Sequence, residues 1–527
     1  MTFRDKTILV FLLLLGISIH MLYIWASSPG EFFRFVWDDS LINFAVARHI
    51  AEGYGFRADG IHYTNSAHFV AVFAGVPCQM LCPNDKISAM RCTLTISALF
   101  SVASGLLLFL LVKHFVGVFS GLITLLLFVT SCLWFRVTMT GMDPAYTMFF
   151  VVLQIYCYFV ITGRGKNNRK IAYFLLGLSC GAGFVSRFDQ AIFAMLIATD
   201  LIWRRHKSSR ELFYKVVLLC IGFWTIAAFV ITANLHYTGN FLPSSARSYN
   251  ELDEVGIELV VLSTGHKDLY QLLQERPSLI LYGYRMLMAA QALFLLIYLS
   301  TPGALGLMLV LLFKRSRHLF LYELRKMREL SLVLIAASVF LAVYVFYFVN
   351  WYLFRYLTPV YLVVVVAEGI AIGSIRGIFQ NSKQRQYAFA ASMVCVLVVG
   401  IVSIHKERVN VDWSPAVIRW MGQEAHDKEV VASASLVGSL AYFTDATVID
   451  LGGKLDGEVI KFYANKGMDR FLDEVGVDYF VDKECYLRCI LRHCCAEGYL
   501  DKYFERVFVG WGAWNPSCNI AVFRRKE

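Results

Sequence analysis

Long apolar runs constrain this chain more than any other feature of it. A bilayer core takes about 20 apolar residues per helix. On that length the sequence gives about eleven candidate spans, near 7–26, 89–112, 115–135, 142–162, 170–186, 188–203, 216–236, 292–313, 331–350, 356–375 and 387–404. Of the 527 residues, 58% are hydrophobic and 17% charged, whereas soluble proteins run at about 45–50% and about 25%. A disordered chain, a disulfide mini-scaffold and an ordinary cytosolic enzyme are thereby excluded. The first run follows Arg4 and Lys6 as a signal peptide would. It is too long for one and lacks a small-residue cleavage site, so it reads as an uncleaved anchor.

Charge orients the bundle. With a cytosolic N-terminus and alternating spans, the cytosolic segments carry 21 of the 49 basic residues and 4 of the 39 acidic ones. The opposite segments are neutral to acidic, as the positive-inside bias requires. The formal net charge of +10 therefore records topology, and no nucleic-acid partner is expected. Three outer segments are long: a first loop at 27–88, a second near 238–290, and everything after about 405. The expected architecture is a polytopic α-helical membrane module over 1–404, its first outer loop bearing interfacial helix, with an extracytoplasmic α/β domain over 405–527. In that tail, EVVASASLVGSLAYFTDATVIDLGG reads as short β-branched strands, and GMDRFLDEVGVDYFVD as helix then strand. No internal repeat is visible, which counts against an inverted-repeat transporter.

Of the 13 cysteines, Cys132, Cys157, Cys180, Cys220 and Cys395 fall in spans, where they serve as small packing residues. Cys78, Cys82, Cys485, Cys489, Cys494, Cys495 and Cys518 lie outside, where disulfides are favoured. The run CYLRCILRHCC, with His493 inside it, could instead keep free thiols or hold zinc, although it lacks paired CxxC spacing.

The first outer loop concentrates the chemistry. From Ser40 to Ala51 the apolar positions follow a helical period that Gly53 and Gly55 end. Such a helix is too short and polar to span, so it should lie along the outer interface. Asp38 and Asp39 stand at its start. One Asp accounts for an N-cap. The second is surplus to that, and paired carboxylates at membrane depth need a cation, a proton or a hydroxyl to interact with.

WDDSLINFAVARHIAEGYGF (37–56) followed by HYTNS (62–66) resembles the first outer loop of GT-C glycosyltransferases. Within that class it is most similar to the branch containing the mycobacterial terminal arabinofuranosyltransferase. TGMDPAYT (140–147), SRFDQAIF (186–193), YTGNFLPSSAR (237–247), FRYLTPVY (354–361) and IDLGGKLD (449–456) follow in the family's order. The resemblance implies a polyprenyl-phosphate-linked sugar as donor, transfer at the outer face of the bacterial cytoplasmic (inner) membrane, and a catalytic Asp in the first loop. The sugar it implies is a pentofuranose, and the acceptor a cell-surface glycan or a protein such as pilin.

Elementary chemistry agrees with these implications. A hydroxyl becomes a competent nucleophile when a positioned carboxylate takes its proton. Either acid can serve. Asp39 is favoured as the base, with Asp38 orienting the acceptor or binding a cation. Arg187, Arg247 and Arg355 stand at outer span boundaries within the family blocks, and guanidinium forks match phosphate oxygens. Interfacial snorkelling is the competing use of such residues. Asp143 either caps the fourth span or, where the family has Glu, faces the active site. Asp189 pairs with Arg187 or steers it toward the donor. Where the family has an Arg after its acid pair this chain has Ala45, and Arg48 could substitute; Ser66, Ala67 and His68 also depart from the family's run. His62, Tyr63 and Asn65 could hydrogen-bond sugar or acceptor hydroxyls, and Trp37 could stack on a sugar or anchor at the interface. No cofactor is demanded, although the acid pair with Asp143 could bind a divalent cation. Asp450 and Asp456 read as a loop near the site.

A transporter or flippase of lipid-linked sugars is the alternative. It would explain the spans but leave the acid-bearing surface helix and the outer α/β tail unexplained. Apart from Glu368 the spans are also nearly free of acids. A surface receptor with a ligand-binding tail would make the first loop incidental.

Overall fold

The computed structural model describes residues 1–59, 62–162, 170–203, 209–241, 314–326, 358–375, 382–406, 414–425, 429–453, 467–510 and 519–526, with isolated positions between them. The candidate spans at 292–313 and 331–350 lie almost wholly outside the described residues.

Helix α1 (Phe3–Met21) continues through a π turn, Leu22–Ala26. The first outer loop then folds into α2 (Asp38–Ala51) and α3 (Phe69–Leu81), an apolar helix that the span scan passes over. The bundle follows with α4 (Lys86–Phe115), α5 (Val118–Val129), α6 (Cys132–Met139), α7 (Pro144–Thr162), α8 (Lys170–Ser186), α9 (Ala191–Trp203) and α10 (Ser209–Thr238). After it come α11 (Lys314–Lys326), α12 (Thr358–Ile375) and α13 (Ser382–Lys406). Among the described residues, four helices have the length and apolarity to cross a membrane, or five if α5 and α6 count as one bent span. The described residues thus do not confirm a count of eleven spans.

Local chemistry explains the boundaries. Asp85 caps α4, accepting from the amides of Ile87 at 3.1 Å and Ser88 at 3.0 Å, which satisfies N–H groups left open at the helix start. The expected single span over 115–135 instead bends by 53° between α5 and α6. There the Thr130 hydroxyl donates to the Leu126 carbonyl at 2.7 Å, and Ser131 accepts from the Trp134 amide at 3.2 Å. Such side-chain bonds offer the backbone an alternative to the helix ladder. Beyond α6 the chain turns at Gly141, with φ +77°, where an added Cβ would stand 2.8 Å from Phe44 Cζ. Only glycine meets both conditions, and this turn delivers Asp143 to the head of α7. Helices α8 and α10 meet backbone to backbone: a Cβ on Gly177 would lie 2.2 Å from the Leu219 carbonyl oxygen. Small residues permit that approach in a bilayer.

The tail opens with α14 (Pro415–Glu424). Strand β1 (Val430–Ser433), α15 (Val437–Phe443), β2 (Thr447–Asp450), α16 (Met468–Val475), β3 (Tyr479–Lys483), α17 (Glu484–Cys494), β4 (Phe504–Gly510) and β5 (Ile520–Arg525) follow. The sheet order is β2-β1-β3-β5-β4, with β1 parallel to β2 and β3 and the remaining pairs antiparallel. The helix-then-strand reading of 467–482 matches α16 and β3. The strand reading of 429–453 is corrected in its middle, where Val437–Phe443 form α15, a helix buried from Val437 to Tyr442 on all its sides.

One apolar core joins the first loop to the tail: Phe44 of α2 belongs to the same cluster as Met421, Leu436, Leu440 and Tyr442. A disulfide links Cys78 of α3 to Cys92 in the early turns of α4, with Cα atoms 5.6 Å apart, while Cys82 is a free thiol. Cys485 is disulfide-bonded, whereas Cys494 and Cys495 are free, so the zinc reading of this run lacks a thiolate at its first position.

Candidate active site

Trp37 occupies the N-cap of α2 without a side-chain cap bond. Its ring packs in the core shared by loop and tail. The two acids that follow diverge, because successive helical side chains point about 100° apart. Asp38 is 3% exposed, and its carboxylate accepts from the backbone amides of Gly438 at 2.9 Å and Ser439 at 2.7 Å. Asp39 is half-buried.

One turn after Asp39, and so on the same face of α2, stands Asn43, which is 1% exposed. Its Oδ1 accepts from the His68 amide at 2.8 Å, which leaves Nδ2 as the donor end. Nδ2 is buried and has no hydrogen-bond partner among the described residues. His68 precedes α3, and its Nε2 lies 3.3 Å from Asp143 Oδ1. Asp143, 1% exposed, has its other oxygen 3.4 Å from Arg187 Nε, and that oxygen accepts from the Thr147 hydroxyl at 3.4 Å. Arg187 also pairs with Asp189, whose second oxygen accepts from Gln190 at 3.3 Å. A polar line thus runs from Asn43 through His68, Asp143 and Arg187 to Asp189, gathering α2, the start of α3, the head of α7 and the end of α8.

The other expected residues are placed differently. Arg48 turns to the tail, donating to the Ala441 carbonyl at 3.2 Å with Asp445 at 3.6 Å. The His62 ring and backbone amide both bond to Asp59. Tyr63 lies under the Arg57 guanidinium at 4.4 Å and stacks on Tyr237 at 4.7 Å, while Asn65 donates to the Thr238 hydroxyl at 3.0 Å. These contacts pin the loop to the end of α10. Arg247, Arg355 and Asp456 lie outside the described residues. Among the described residues no three His, Cys, Asp or Glu side chains form a cation-holding group, so Asp38, Asp39 and Asp143 do not combine as one. Asn43, His68 and Thr147 are site residues that the sequence reading did not select. The Asp39–Asn43 interval of four was the signal available for the first.

His49, buried on α2, has Nδ1 2.9 Å from the Arg57 carbonyl and Nε2 3.4 Å from the Arg48 guanidinium. These partners fit a neutral ring that donates from Nδ1 and accepts at Nε2. Burial first, then the Arg48 charge, lowers its pKa. The unfolded chain therefore binds the extra proton more readily, and stability falls as pH drops below about 6.5. Thermal unfolding of the solubilised protein from pH 7.5 to 5.5 should show that decline, and His49→Gln should flatten it.

Residues 87–231 match the dolichyl-phosphate-mannose-protein mannosyltransferase family, and residues 402–518 match a domain of unknown function, DUF8728. No curated protein matches the sequence. Among solved structures, the apo oligosaccharyltransferase of Archaeoglobus fulgidus is similar with a TM-score of 0.59 and 11% identity, over 100% of this chain and 75% of that one. The same archaeal enzyme, AglB, in complex with an inhibitory peptide and a dolichol-phosphate gives 0.57 at 12%, over 100% and 74%. ArnT from Cupriavidus metallidurans bound to undecaprenyl phosphate gives 0.57 at 9%, over 97% of each chain. The fold is that of the GT-C membrane glycosyltransferases. The family match over 87–231 and this fold together indicate a glycosyltransferase.

Proposed function

We propose that the chain moves a pentofuranose, arabinofuranose or a close relative, from a polyprenyl-phosphate donor to a hydroxyl of a cell-surface glycan or of a protein such as pilin. Transfer takes place at the outer face of a bacterial cytoplasmic membrane, with the N-terminus in the cytosol. The observation that carries the reading is the polar line from α2 to Arg187, buried within the segment that matches the mannosyltransferase family and its flanking first loop. The lipid phosphates named in the two complexes support the donor class. The resemblance to the terminal arabinofuranosyltransferase branch supports the sugar.

In this reading Asp39 takes the acceptor proton. The acceptor oxygen bonds to the anomeric carbon as that carbon's bond to the phosphate oxygen breaks, and both electrons leave with the lipid phosphate. Arg187 faces the charge that develops there, which is where fixed cations contribute most. Asp143 and Asp189 hold its fork and also offset its charge, so Arg247 and Arg355 are proposed to complete the phosphate site. The unpartnered Asn43 Nδ2 is proposed to donate to a sugar or acceptor oxygen, since buried donors are seldom left unpaired.

Purified protein in nanodiscs, given a synthetic polyprenyl-phosphate pentofuranose and candidate acceptors, should release polyprenyl phosphate and form glycoside. Donor crossing the bilayer without glycoside would favour the flippase, and product from hexose donors alone would replace the sugar.

A further inference from the structure

The two adjacent aspartates do not share one environment. Asp38 lies beneath the tail, its two oxygens bonded to consecutive amides in the first turn of α15. That is a charge-assisted, two-pronged contact at the positive end of a helix. It sits at the carboxyl edge of the parallel strands β1 and β2, where open α/β sheets hold their ligands; here the position is filled by a side chain of the membrane module. The backbones themselves touch: a Cβ on Gly438 would stand 2.0 Å from the Asp38 carbonyl oxygen and 2.9 Å from the Ile42 nitrogen. Flanking bonds fix the same register. Arg48 donates to the Ala441 carbonyl at 3.2 Å, Tyr442 donates to the Lys86 carbonyl at 2.7 Å, and Gln79 donates to the Tyr442 hydroxyl at 3.1 Å.

We propose that the C-terminal domain is the positioning element for α2 and that Asp38 is its point of attachment. Asp38 is a positioning residue, and Asp39 alone takes the proton. The first turn of α2, which carries Asp39, is held to α15 by the two amides that Asp38 accepts from. A misplacement of about 1 Å at a reacting group can cost about 10²-fold in rate. The reading of transfer depends on the glycosyltransferase assignment; the reading of docking does not.

Full-length protein in nanodiscs tests both, with Asp39→Asn as reference. Ser439→Pro removes one amide donor that makes no bond within α15 because it lies in the first turn, and Ser439→Ala keeps that donor. Asp38→Asn and Ser439→Pro should each lower kcat by about 10²-fold with donor KM unchanged and the pH profile of kcat unshifted, while Ser439→Ala stays near wild type. Hydrogen exchange of the α2 amides should quicken in Asp38→Asn and Ser439→Pro and remain slow in Asp39→Asn. Unchanged α2 exchange in Asp38→Asn overturns the attachment. Faster exchange with undiminished transfer overturns the positioning of Asp39. If wild type transfers nothing from any donor, the glycosyltransferase reading fails, and the exchange comparison still decides the docking.

Discussion

Asp39→Asn is expected to lower glycosyl transfer by about 10²–10⁴-fold, the span typical of losing a positioned proton acceptor. The amide matches the carboxylate in size but cannot take the acceptor proton. Asp39 is half-buried on α2, and the amide keeps its size, so the variant should fold. Initial rates at saturating donor, alongside thermal unfolding, separate chemistry from stability. Full transfer by this variant would move the base elsewhere, and His68, which is paired with Asp143, would be the next residue to replace.

Arg187→Ala should damage stability and donor use together. Arg187 is 6% exposed and stands between Asp143 and Asp189. Its removal takes the guanidinium from both carboxylates, and breaking a buried pair in this way costs about 3–5 kcal/mol. Arg187→Lys restores the charge but not the planar fork that reaches both partners, so it should recover much of the stability and little of the donor affinity. The triple change Arg187→Met, Asp143→Asn and Asp189→Asn should melt near wild type and still fail to use donor. Wild-type donor KM in Arg187→Lys and in the triple variant would take Arg187 out of the phosphate site.

Features that local sequence encodes were legible in advance. The apolar runs, the helix from Ser40, the acid pair and the α16–β3 unit all follow from periodicity and capping chemistry. Contacts made by folding at a distance were not. Asp38 meets Gly438 across 400 positions, and nothing near Asp38 distinguishes it from Asp39. His68 and Asp143 come together only because Gly141 turns the chain back against Phe44. Helix α15 was hidden because Val, Leu and Tyr suit strands as well as helices, so the packing face decided between them. Cys92 falls inside an apolar run, and its partnership with Cys78 needed the approach of α3 to α4.

The span between Asp38 and its partners also sets a schedule for biosynthesis. At about 5–20 residues per second, the 400 positions separating Asp38 from Gly438 take about 20–80 s to translate. Throughout that interval the first turn of α2 lacks the two amides that Asp38 accepts from. A chain cut short between Asp189 and α15 would carry both aspartates and the whole polar line, yet still lack the clasp. Completion of the polypeptide thus becomes a checkpoint on the enzyme, because the site at the beginning of the chain is closed by the part made near its end.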